Sequence, residues 1–288
     1  MNENKTNINW FPGHMVKAKK EIEENLKLVD VVIEIVDARI PRSSRNPDFD
    51  KLILNKPRVI GLNKFDLADS KVNKEWVSFY KNNGISAVLI NSITGAGIRE
   101  LLLAASNLVK DKLEKSAARG RVGRSVKVAV IGIPNAGKSS FINKVARKNI
   151  ASVGNKPGVT RTKQWIRTEV GVELMDTPGI LWPKFESEDI GLNLAFTGAI
   201  RYEILDNAEI SLKLISKLRE SYFDMLCARY KLKDVEEFSD VEILEEIGRV
   251  RGFKISGGEI DYDKAGTVIL DEFRKGIIGN ISLERPGE

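Results

Sequence analysis

Residues 126–139 read VKVAVIGIPNAGKS, and this stretch decides the fold. Its first six residues form a mostly apolar run that predicts a strand, and the residues from Lys138 to Ala146 suit a helix. Gly132 and Gly137 permit a tight turn between the two, which aims backbone N–H groups at a point in front of the helix N-terminus. A glycine-rich loop in this context indicates a phosphate-binding site.

The side chains near this loop have the chemistry that nucleotide phosphates and Mg²⁺ require. Lys138 would neutralise the β- and γ-phosphates, and the Ser139 hydroxyl would ligate Mg²⁺. In DTPG, residues 176–179, Asp176 ends a strand and would hold Mg²⁺ through water. Thr160, in the stretch after the helix, would reach Mg²⁺ in the triphosphate state. The phosphate contacts are expected from Asn135, Ala136, Gly137, Lys138, Ser139, Ser140 and the Gly179 N–H.

NKFD, residues 63–66, ends another predicted strand and has the chemistry of a guanine-reading motif. The Asp66 carboxylate can accept from guanine N1–H and the exocyclic amine together, whereas adenine would leave it unpaired at a cost of roughly a few kcal/mol. Asn63 can bond the base edge and brace the phosphate loop, and the Lys64 stem can lie over the ring. The region of Asn91 and Ser92, at the end of the next strand, would supply backbone contacts to guanine O6.

The two motifs stand in an unusual order. The base-reading motif precedes the phosphate loop by roughly seventy residues, whereas in the usual order of GTPases it comes last. This is the pattern of a circular permutation. It makes the loop after Asp176 lead directly into the C-terminal part of the chain. We therefore expect that part to be tethered to the nucleotide-sensing switch rather than to the base site.

Strands that alternate with helices predict an α/β fold with a mostly parallel sheet and helices on both faces. Val31–Asp37 is a nearly continuous β-branched run, as expected for a strand buried on both faces. Ile98–Leu113 suits a helix with a Leu-rich face, and from about Asp189 the pattern becomes helical. We predict an N-terminal arm and helix over residues 1–28, a circularly permuted P-loop GTPase domain over 29–187 and a small all-helical domain over 188–288. A flexible join is expected at 115–125.

The net charge of +6 is distributed unevenly over the 288 residues. Residues 112–167 contain fourteen basic residues and one acidic residue, whereas residues 201–288 have a balance of −5. The basic residues that suit a nucleic-acid surface are Lys17, Lys19 and Lys20 in the arm and Lys115, Arg119, Arg121 and Arg124 in the join. A merely solvated linker is the alternative interpretation of the join.

Composition also excludes several classes of protein. The chain has one cysteine, which rules out an internal disulfide. No apolar run approaches the ~20 residues that span a bilayer, and the N-terminus lacks the plan of a signal peptide. We therefore expect a cytoplasmic protein that does not bind a membrane.

Two further stretches amount to a family resemblance. DARIP, residues 37–41, resembles the Asp-Ala-Arg-x-Pro signature of the YlqF/YawG group of circularly permuted GTPases, and WFPGHM, residues 10–15, is similar to the N-terminus of the ribosome biogenesis GTPase A family. The resemblance covers almost the whole chain. It implies binding of GTP and GDP, and a role for GTP hydrolysis in late assembly of the large ribosomal subunit. It also implies that the partners are the subunit precursor and its rRNA, with ribosomal proteins as a further class.

The residue after Asp-x-x-Gly is Ile180, which cannot orient an attacking water as the Gln of many GTPases does. Hydrolysis is therefore expected to be slow unless another group helps. The lone histidine, His14, is one candidate, and the resemblance implies a catalytic role for it; an rRNA contact or a structural role is the alternative. In related GTPases the Asn of Pro-Asn-x-Gly-Lys-Ser helps to bind K⁺, which implies the same role for Asn135.

The motifs leave two other functions open. A P-loop phosphotransferase that acts on a small molecule would need an acceptor pocket, and it does not explain Asn63–Asp66. Selectivity for GTP over ATP separates that function from a GTPase. A nucleotide-gated RNA-binding module with little catalysis is compatible with Ile180. Turnover measured with and without large subunits separates this third function from the first.

Overall fold

The computed structural model describes residues 13–53, 56–118, 124–153, 165–200 and 206–287, with the backbone alone for residues 13–15, 112, 116–117 and 148–153. Within these ranges the sheet contains β1 (Val31–Asp37), β2 (Arg58–Asn63), β3 (Ser86–Ile90), β4 (Val126–Ile131), β5 (Trp165–Arg167) and β6 (Val172–Asp176). The strands lie in the order β3-β2-β1-β4-β6-β5. Neighbours are parallel except β5, which pairs antiparallel with β6.

Helices cover both faces of this sheet and dominate the chain after residue 188. They are α1 (Gly13–Leu26), α2 (Asp48–Ile53), α3 (Ser70–Asn82), α4 (Ile98–Asn107), α5 (Lys110–Ala117), α6 (Lys138–Val153), α7 (Glu188–Phe196), α8 (Asn207–Ser221), α9 (Phe223–Tyr230), α10 (Asp240–Arg251) and α11 (Tyr262–Arg274). None of the helices in the described ranges combines the length and apolarity that crossing a membrane requires.

Successive side chains of β1 point to opposite faces of the sheet, and each face has its own cover. Ile33 and Ile35 lie in one buried cluster with residues of α4 and α6. Val32 lies in a second cluster with α1 and α2, and Val36 in a third with α3. Every residue of β1 is buried, so the strand is covered on both faces as its sequence predicts.

The sheet reverses its winding between β1 and β4. From β1 the chain continues outward to β2 and β3, whereas β5 and β6, which follow β4 in the chain, lie on the other side, with β6 beside β4 and β5 at the edge. In such sheets the carboxyl ends of the two strands at the reversal border a crevice, and that crevice is where ligands bind. The phosphate loop follows β4 at this edge. The predicted α/β architecture with a mostly parallel sheet is therefore confirmed.

Several helix boundaries differ from those predicted. Residues 98–113 were expected to form one helix with a Leu-rich face, but α4 ends at Asn107 and α5 begins at Lys110. No Gly or Pro marks this break, and Val109 is buried there, so tertiary packing sets it. The helix after the phosphate loop continues to Val153, beyond the predicted end at Ala146. The short α2 was not predicted.

The chain after α11 returns to the sheet as a tail, residues 276–287. The Ile281 N–H donates to the Leu67 carbonyl at 3.0 Å, and the Leu283 N–H donates to the Arg39 carbonyl at 2.8 Å. The Trp76 indole N–H donates to the Glu284 carbonyl at 3.1 Å. The C-terminal helices are therefore connected to the switch through the segment after Asp176, as expected, but the expectation that they are not also tethered to the base site is wrong. The tail lies against the turn that carries the base-reading motif.

Candidate functional site

The phosphate loop needs its two outer glycines for different reasons. A Cβ on Gly132 would lie 2.6 Å from the Ile35 carbonyl oxygen, so the neighbouring strand leaves no room for a side chain. Gly137 has a φ of 96°, which L side chains rarely adopt, and a Cβ there would lie 2.1 Å from Asn63 Nδ2. The loop therefore takes its shape by packing against β1 and against the base-reading motif.

The cationic and acidic groups expected at the phosphates lie next to each other. Lys138 Nζ lies 3.2 Å from Asp176 Oδ1, and Lys138 is buried whereas the Asp176 side chain is 47% exposed. Ser139 and Ser140, the next residues of α6, are exposed. This arrangement offers one cation for phosphate oxygens, and a hydroxyl and a carboxylate as ligands for a hard metal ion.

Asn63 joins the base-reading motif to the phosphate loop. Its Nδ2 donates to the Ala136 carbonyl at 2.8 Å. Its Oδ1 accepts from the Ser92 N–H at 3.0 Å and from the Ser92 hydroxyl at 2.9 Å. Because Asn63 is buried, each of these bonds satisfies a polar atom that water does not reach. Three loops that are far apart in the sequence are held together by this one side chain.

Asp66 lies in the turn Phe65–Leu67, where its side chain is exposed and has no hydrogen-bond partner among the described residues. An exposed carboxylate without a partner is available to a ligand. The Asn91 side chain, by contrast, accepts from the N–H groups of Ile93 and Thr94, both at 2.8 Å. Asn91 and Ser92 therefore shape the loop and hold Asn63, and both residues are buried.

A cavity of about 540 Å³ lies between this loop and α6. It is lined by Ser92 and Ile93 on one side and by Ser140, Asn143, Lys144 and Arg147 on the other. The cavity connects the base-side loop with the helix that follows the phosphate loop. A second cavity, about 230 Å³, lies beyond Lys144 against Leu102 and Val170, and its lining is mostly apolar. The lining of the first cavity has a similar share of polar surface, so its position between Ser92 and the helix after the phosphate loop, and not its polarity, makes it the candidate nucleotide cavity.

Gly179 lies directly against the phosphate loop. A Cβ there would be 3.2 Å from the Pro134 nitrogen and 3.4 Å from the Gly132 oxygen. The following residue, Ile180, is buried in the cluster formed with Ile22 and Leu26 of α1. Its carbonyl accepts from Asn46 Nδ2 at 3.2 Å. The side chain after Asp-x-x-Gly is therefore part of the hydrophobic core and does not point into the cleft.

The three remaining predicted catalytic residues are Thr160, His14 and Asn135. Thr160 lies outside the described residues. His14 lies in the first turn of α1, where only the backbone is described. Asn135 has a positive φ of 57°, and its Nδ2 donates to the Gly198 carbonyl just beyond α7. Its Oδ1 has no hydrogen bond among the described residues.

Two important residues of the site were not recognised as such from the sequence. Asp37, which ends β1, pairs with Arg39 and with Lys64, both at 2.8 Å. Lys64 Nζ also donates to the Asn135 carbonyl at 2.7 Å. Burial alone would raise the pKa of Asp37, but the two cations hold it well below its usual range. The available signal was an Asp at the end of a fully buried strand with an Arg two residues later.

Asn63 bonds the phosphate loop although it precedes that loop in the chain, so the fold is that of a P-loop GTPase whose chain is circularly permuted. A family described as a 50S ribosome-binding GTPase matches residues 127–240, a range that begins in β4 and omits the base-reading motif. The ribosome biogenesis GTPase A of Bacillus cereus is 47% identical over 98% of this chain and 95% of its own length.

Two solved structures are also similar to this chain over nearly its whole length. The GNP-bound YlqF from T. maritima is 30% identical with a TM-score of 0.66, over 94% of this chain and 99% of that one. A GDP-bound YlqF structure is 29% identical with a TM-score of 0.66, over 93% and 100%. The chain belongs to the ribosome biogenesis GTPase A family. It is a GTP hydrolase that binds guanine nucleotides.

Proposed function

We propose that the chain hydrolyses GTP on the precursor of the large ribosomal subunit, binds its rRNA there, and so drives a late step of assembly in the cytoplasm. The Asn63 bridge carries the proposal, because it makes one nucleotide cleft from two distant segments. The match to a family described as 50S ribosome-binding and the name of the Bacillus cereus relative support the ribosomal partner.

In this cleft Asp66 reads the guanine edge and Lys138 binds the β- and γ-phosphates. The ion pair between Lys138 and Asp176 would open when phosphate oxygens replace the carboxylate, since both compete for the same ammonium group. Asp176 and Ser139 would then hold Mg²⁺, with Thr160 as a further ligand. When bound, Mg²⁺ neutralises negative charge on the β- and γ-phosphate oxygens.

The position of α1 supports a catalytic role for His14. A short turn connects α1 to the start of β1, and Ile22 of α1 packs with Ile180, which follows the end of β6. Lys19 Nζ donates to Asp48 Oδ2 at 2.8 Å, and Asp48 lies beyond the carboxyl end of β1. The helix therefore runs antiparallel to the strand. Its first turn, with His14, begins roughly 12 Å beyond Ile22 at 1.5 Å per residue, on the nucleotide edge of the sheet.

Asn135 supports a role for K⁺. Its amide nitrogen is engaged by the Gly198 carbonyl, which orients the side chain and leaves Oδ1 as an acceptor. A monovalent cation at Oδ1 would supply the positive charge that an arginine finger supplies elsewhere. Turnover that is equally fast in Na⁺ and in K⁺ would contradict this role.

The basic arm is the best supported RNA contact. Lys17 and Lys20 are exposed on α1, whereas Lys19 pairs with Asp48. Arg124 pairs with Asp30 at 2.9 Å, so that part of the join is not a free linker, and Arg119 and Arg121 lie outside the described residues.

In the C-terminal helices Arg249 pairs with Glu245 and Glu246, Arg251 pairs with Glu272, and Arg274 pairs with Asp271. Their charge is thus largely used within the protein.

The experiment combines purified protein with immature and with mature large subunits and measures binding and turnover for GDP, GTP and no nucleotide. We expect immature particles to raise turnover and bind with a strong salt dependence, because phosphate contacts release counterions. His14→Ala should keep nucleotide affinity and lose the stimulated turnover. Particles that bind the protein equally with every nucleotide and leave turnover unchanged would contradict the proposal.

A nucleotide-gated RNA-binding module with little intrinsic catalysis is the second candidate. The burial of Ile180 favours it, because this residue lies in the hydrophobic core and cannot orient the water that attacks the γ-phosphate. Single-turnover measurements on the particle separate the two candidates. Nucleotide-dependent binding without any rise in turnover would support the module.

A further inference from the structure

We infer that Arg39 is a positioning residue that acts through Asp37 on Lys64, and that it makes guanine-nucleotide affinity depend on the docking of the C-terminal helices. The inference rests on the proposed base site, in which the Lys64 stem lies over the guanine ring. Its basis is a continuous chain of charged contacts from the base-reading motif to the end of α11, in which two of the three side chains are almost fully buried.

The Asp37 carboxylate is shared between the two cations. Its Oδ1 accepts from the Arg39 backbone N–H at 3.1 Å and from Arg39 Nε at 2.9 Å. Its Oδ2 accepts from the third Arg39 donor, Nη2, and from Lys64 Nζ, both at 2.8 Å. Asp37 is 2% exposed and Arg39 is 1% exposed. The Arg39 fork therefore fixes the plane of the carboxylate, and the carboxylate fixes the Lys64 ammonium.

Lys64 needs such an anchor because its backbone is in a sparsely populated conformation. Its φ is 60° and its ψ is 32°, in the left-handed region. This conformation starts the turn that carries Asp66. The ammonium is held by Asp37 on one side and by the Asn135 carbonyl of the phosphate loop on the other. A displaced Asp37 would release one of these two contacts and let the stem leave the position over the base.

The remaining guanidinium nitrogen of Arg39, Nη1, contacts the C-terminal helices. Its Nη1 makes long hydrogen bonds to the Phe273 carbonyl at 3.5 Å and the Arg274 carbonyl at 3.3 Å, at the last turn of α11. The guanidinium also lies 5.2 Å from the centroid of the Phe273 ring. The carbonyl end of a helix attracts a cation. Arg39 therefore spans the contact between the two parts of the chain, and its orientation depends on α11 being in place.

A double-mutant cycle tests the inference on the full chain by measuring GDP affinity. Arg39→Lys keeps the charge but cannot bind the carboxylate and the α11 carbonyls together. Lys64→Gln keeps most of the stem and removes the ammonium. We expect Arg39→Lys to weaken GDP binding about tenfold in the wild-type background. In a chain that already carries Lys64→Gln, the same substitution should weaken it by less than about twofold, because the two residues are coupled. Equal losses in both backgrounds, or no loss in either, would overturn the inference.

Arg45→Lys is the matched control, because Arg45 lies in the same segment after β1 but its described partners are Glu34, Asp50 and the Tyr80 ring. It should leave GDP affinity unchanged. A wild-type measurement covers the case in which Arg39→Lys fails to fold. GDP should slow hydrogen exchange of the Lys275 and Gly276 amides, which close the last turn of α11. Unchanged exchange at these amides would also overturn the inference.

A further variant, Asp66→Asn, distinguishes an error in this inference from an error in the assignment of the base site. Asp66→Asn should reduce GDP affinity whether or not Arg39 acts on Lys64. If that variant binds GDP normally, the base site itself is wrongly assigned and the inference falls with it. If it responds as expected and the cycle shows no coupling, only the role of Arg39 is wrong.

Discussion

At the scale of single residues, the proposed function assigns base selectivity to Asp66. Its carboxylate is exposed and unpaired among the described residues, so replacing it changes no internal contact. Asp66→Asn should lower GDP affinity about 100-fold and raise affinity for xanthosine diphosphate, whose 2-oxo group accepts from the new amide. Titration with both nucleotides measures this, and Glu100→Gln, an exposed carboxylate on α4, is the control. If Asp66→Asn has the same preference between GDP and xanthosine diphosphate as the wild-type protein, the assignment is wrong.

Gly179 provides a second test at the same scale. A methyl group there would lie 3.2 Å from the Pro134 nitrogen, so the phosphate loop or the Asp-x-x-Gly segment must shift by a few tenths of an ångström. Gly179→Ala should lower GTP turnover by roughly ten- to a hundredfold, the equivalent of about 1–3 kcal/mol, and affect GDP affinity less. Steady-state turnover and GDP titration give the two numbers.

Gly191→Ala is the matched control for this substitution. Gly191 lies inside α7, and a Cβ there would make an ordinary contact of 3.5 Å with the Phe185 ring. Alanine should stabilise the helix by roughly 0.5–1 kcal/mol and leave turnover unchanged. A loss of turnover equal to that of Gly179→Ala would show that the effect does not come from the nucleotide site.

At the scale of helices and strands, the tail is held by Glu284. The Glu284 carboxylate accepts from the Arg42 N–H at 2.7 Å, from the Ser43 N–H and hydroxyl, and from Asn193 Nδ2 at 3.0 Å. It connects the tail to the segment after β1 and to α7. Burial raises the pKa of Glu284 above its ordinary value of 4.5, although the Ser43, Arg42 and Asn193 hydrogen bonds oppose the shift.

This raised pKa predicts a pH dependence of stability. The folded protein binds the Glu284 proton more tightly than the unfolded chain does, so this contribution is full below about pH 4.5 and is lost as pH rises through the folded pKa. Glu284→Gln cannot ionise. The free energy of unfolding of the variant minus that of the wild-type protein should therefore increase between pH 4.5 and neutrality, because only the wild-type protein loses stability there. Denaturant unfolding at several pH values measures the difference, and a constant difference would contradict the shift.

The same scale shows what the sequence could predict. β1 and β4 were located well, because buried β-branched runs are local signals. The break between α4 and α5 was missed, since only the burial of Val109 sets it. In the site, Asn63 could be predicted to brace the phosphate loop from its motif. The position of Arg39 against α11 could not, because it depends on a contact across more than two hundred residues.

At the scale of the whole molecule, the C-terminal helices meet the rest of the chain along two lines of contact. On the switch side, Asn135 bonds the Gly198 carbonyl, and Asn46 bonds the Ile180 carbonyl in the segment that leads to α7. On the base side, the tail bonds Leu67 and Arg39. The permuted order explains only the first line. In the proposed site a γ-phosphate would contact the switch side alone, so the two lines should respond differently to GTP.

Hydrogen exchange with GDP and with a non-hydrolysable GTP analogue tests this difference. The γ-phosphate should draw the Gly179 N–H toward it and disturb the contacts of the segment that follows. Exchange of the amides of Gly198 and Ala199 should therefore be faster with the analogue than with GDP. The amides of Ile281 and Leu283, on the base side, should exchange at the same rate in both states. Equal exchange at all four amides would mean that the helices form a rigid appendage, whereas faster exchange at all four would mean that they separate as a unit.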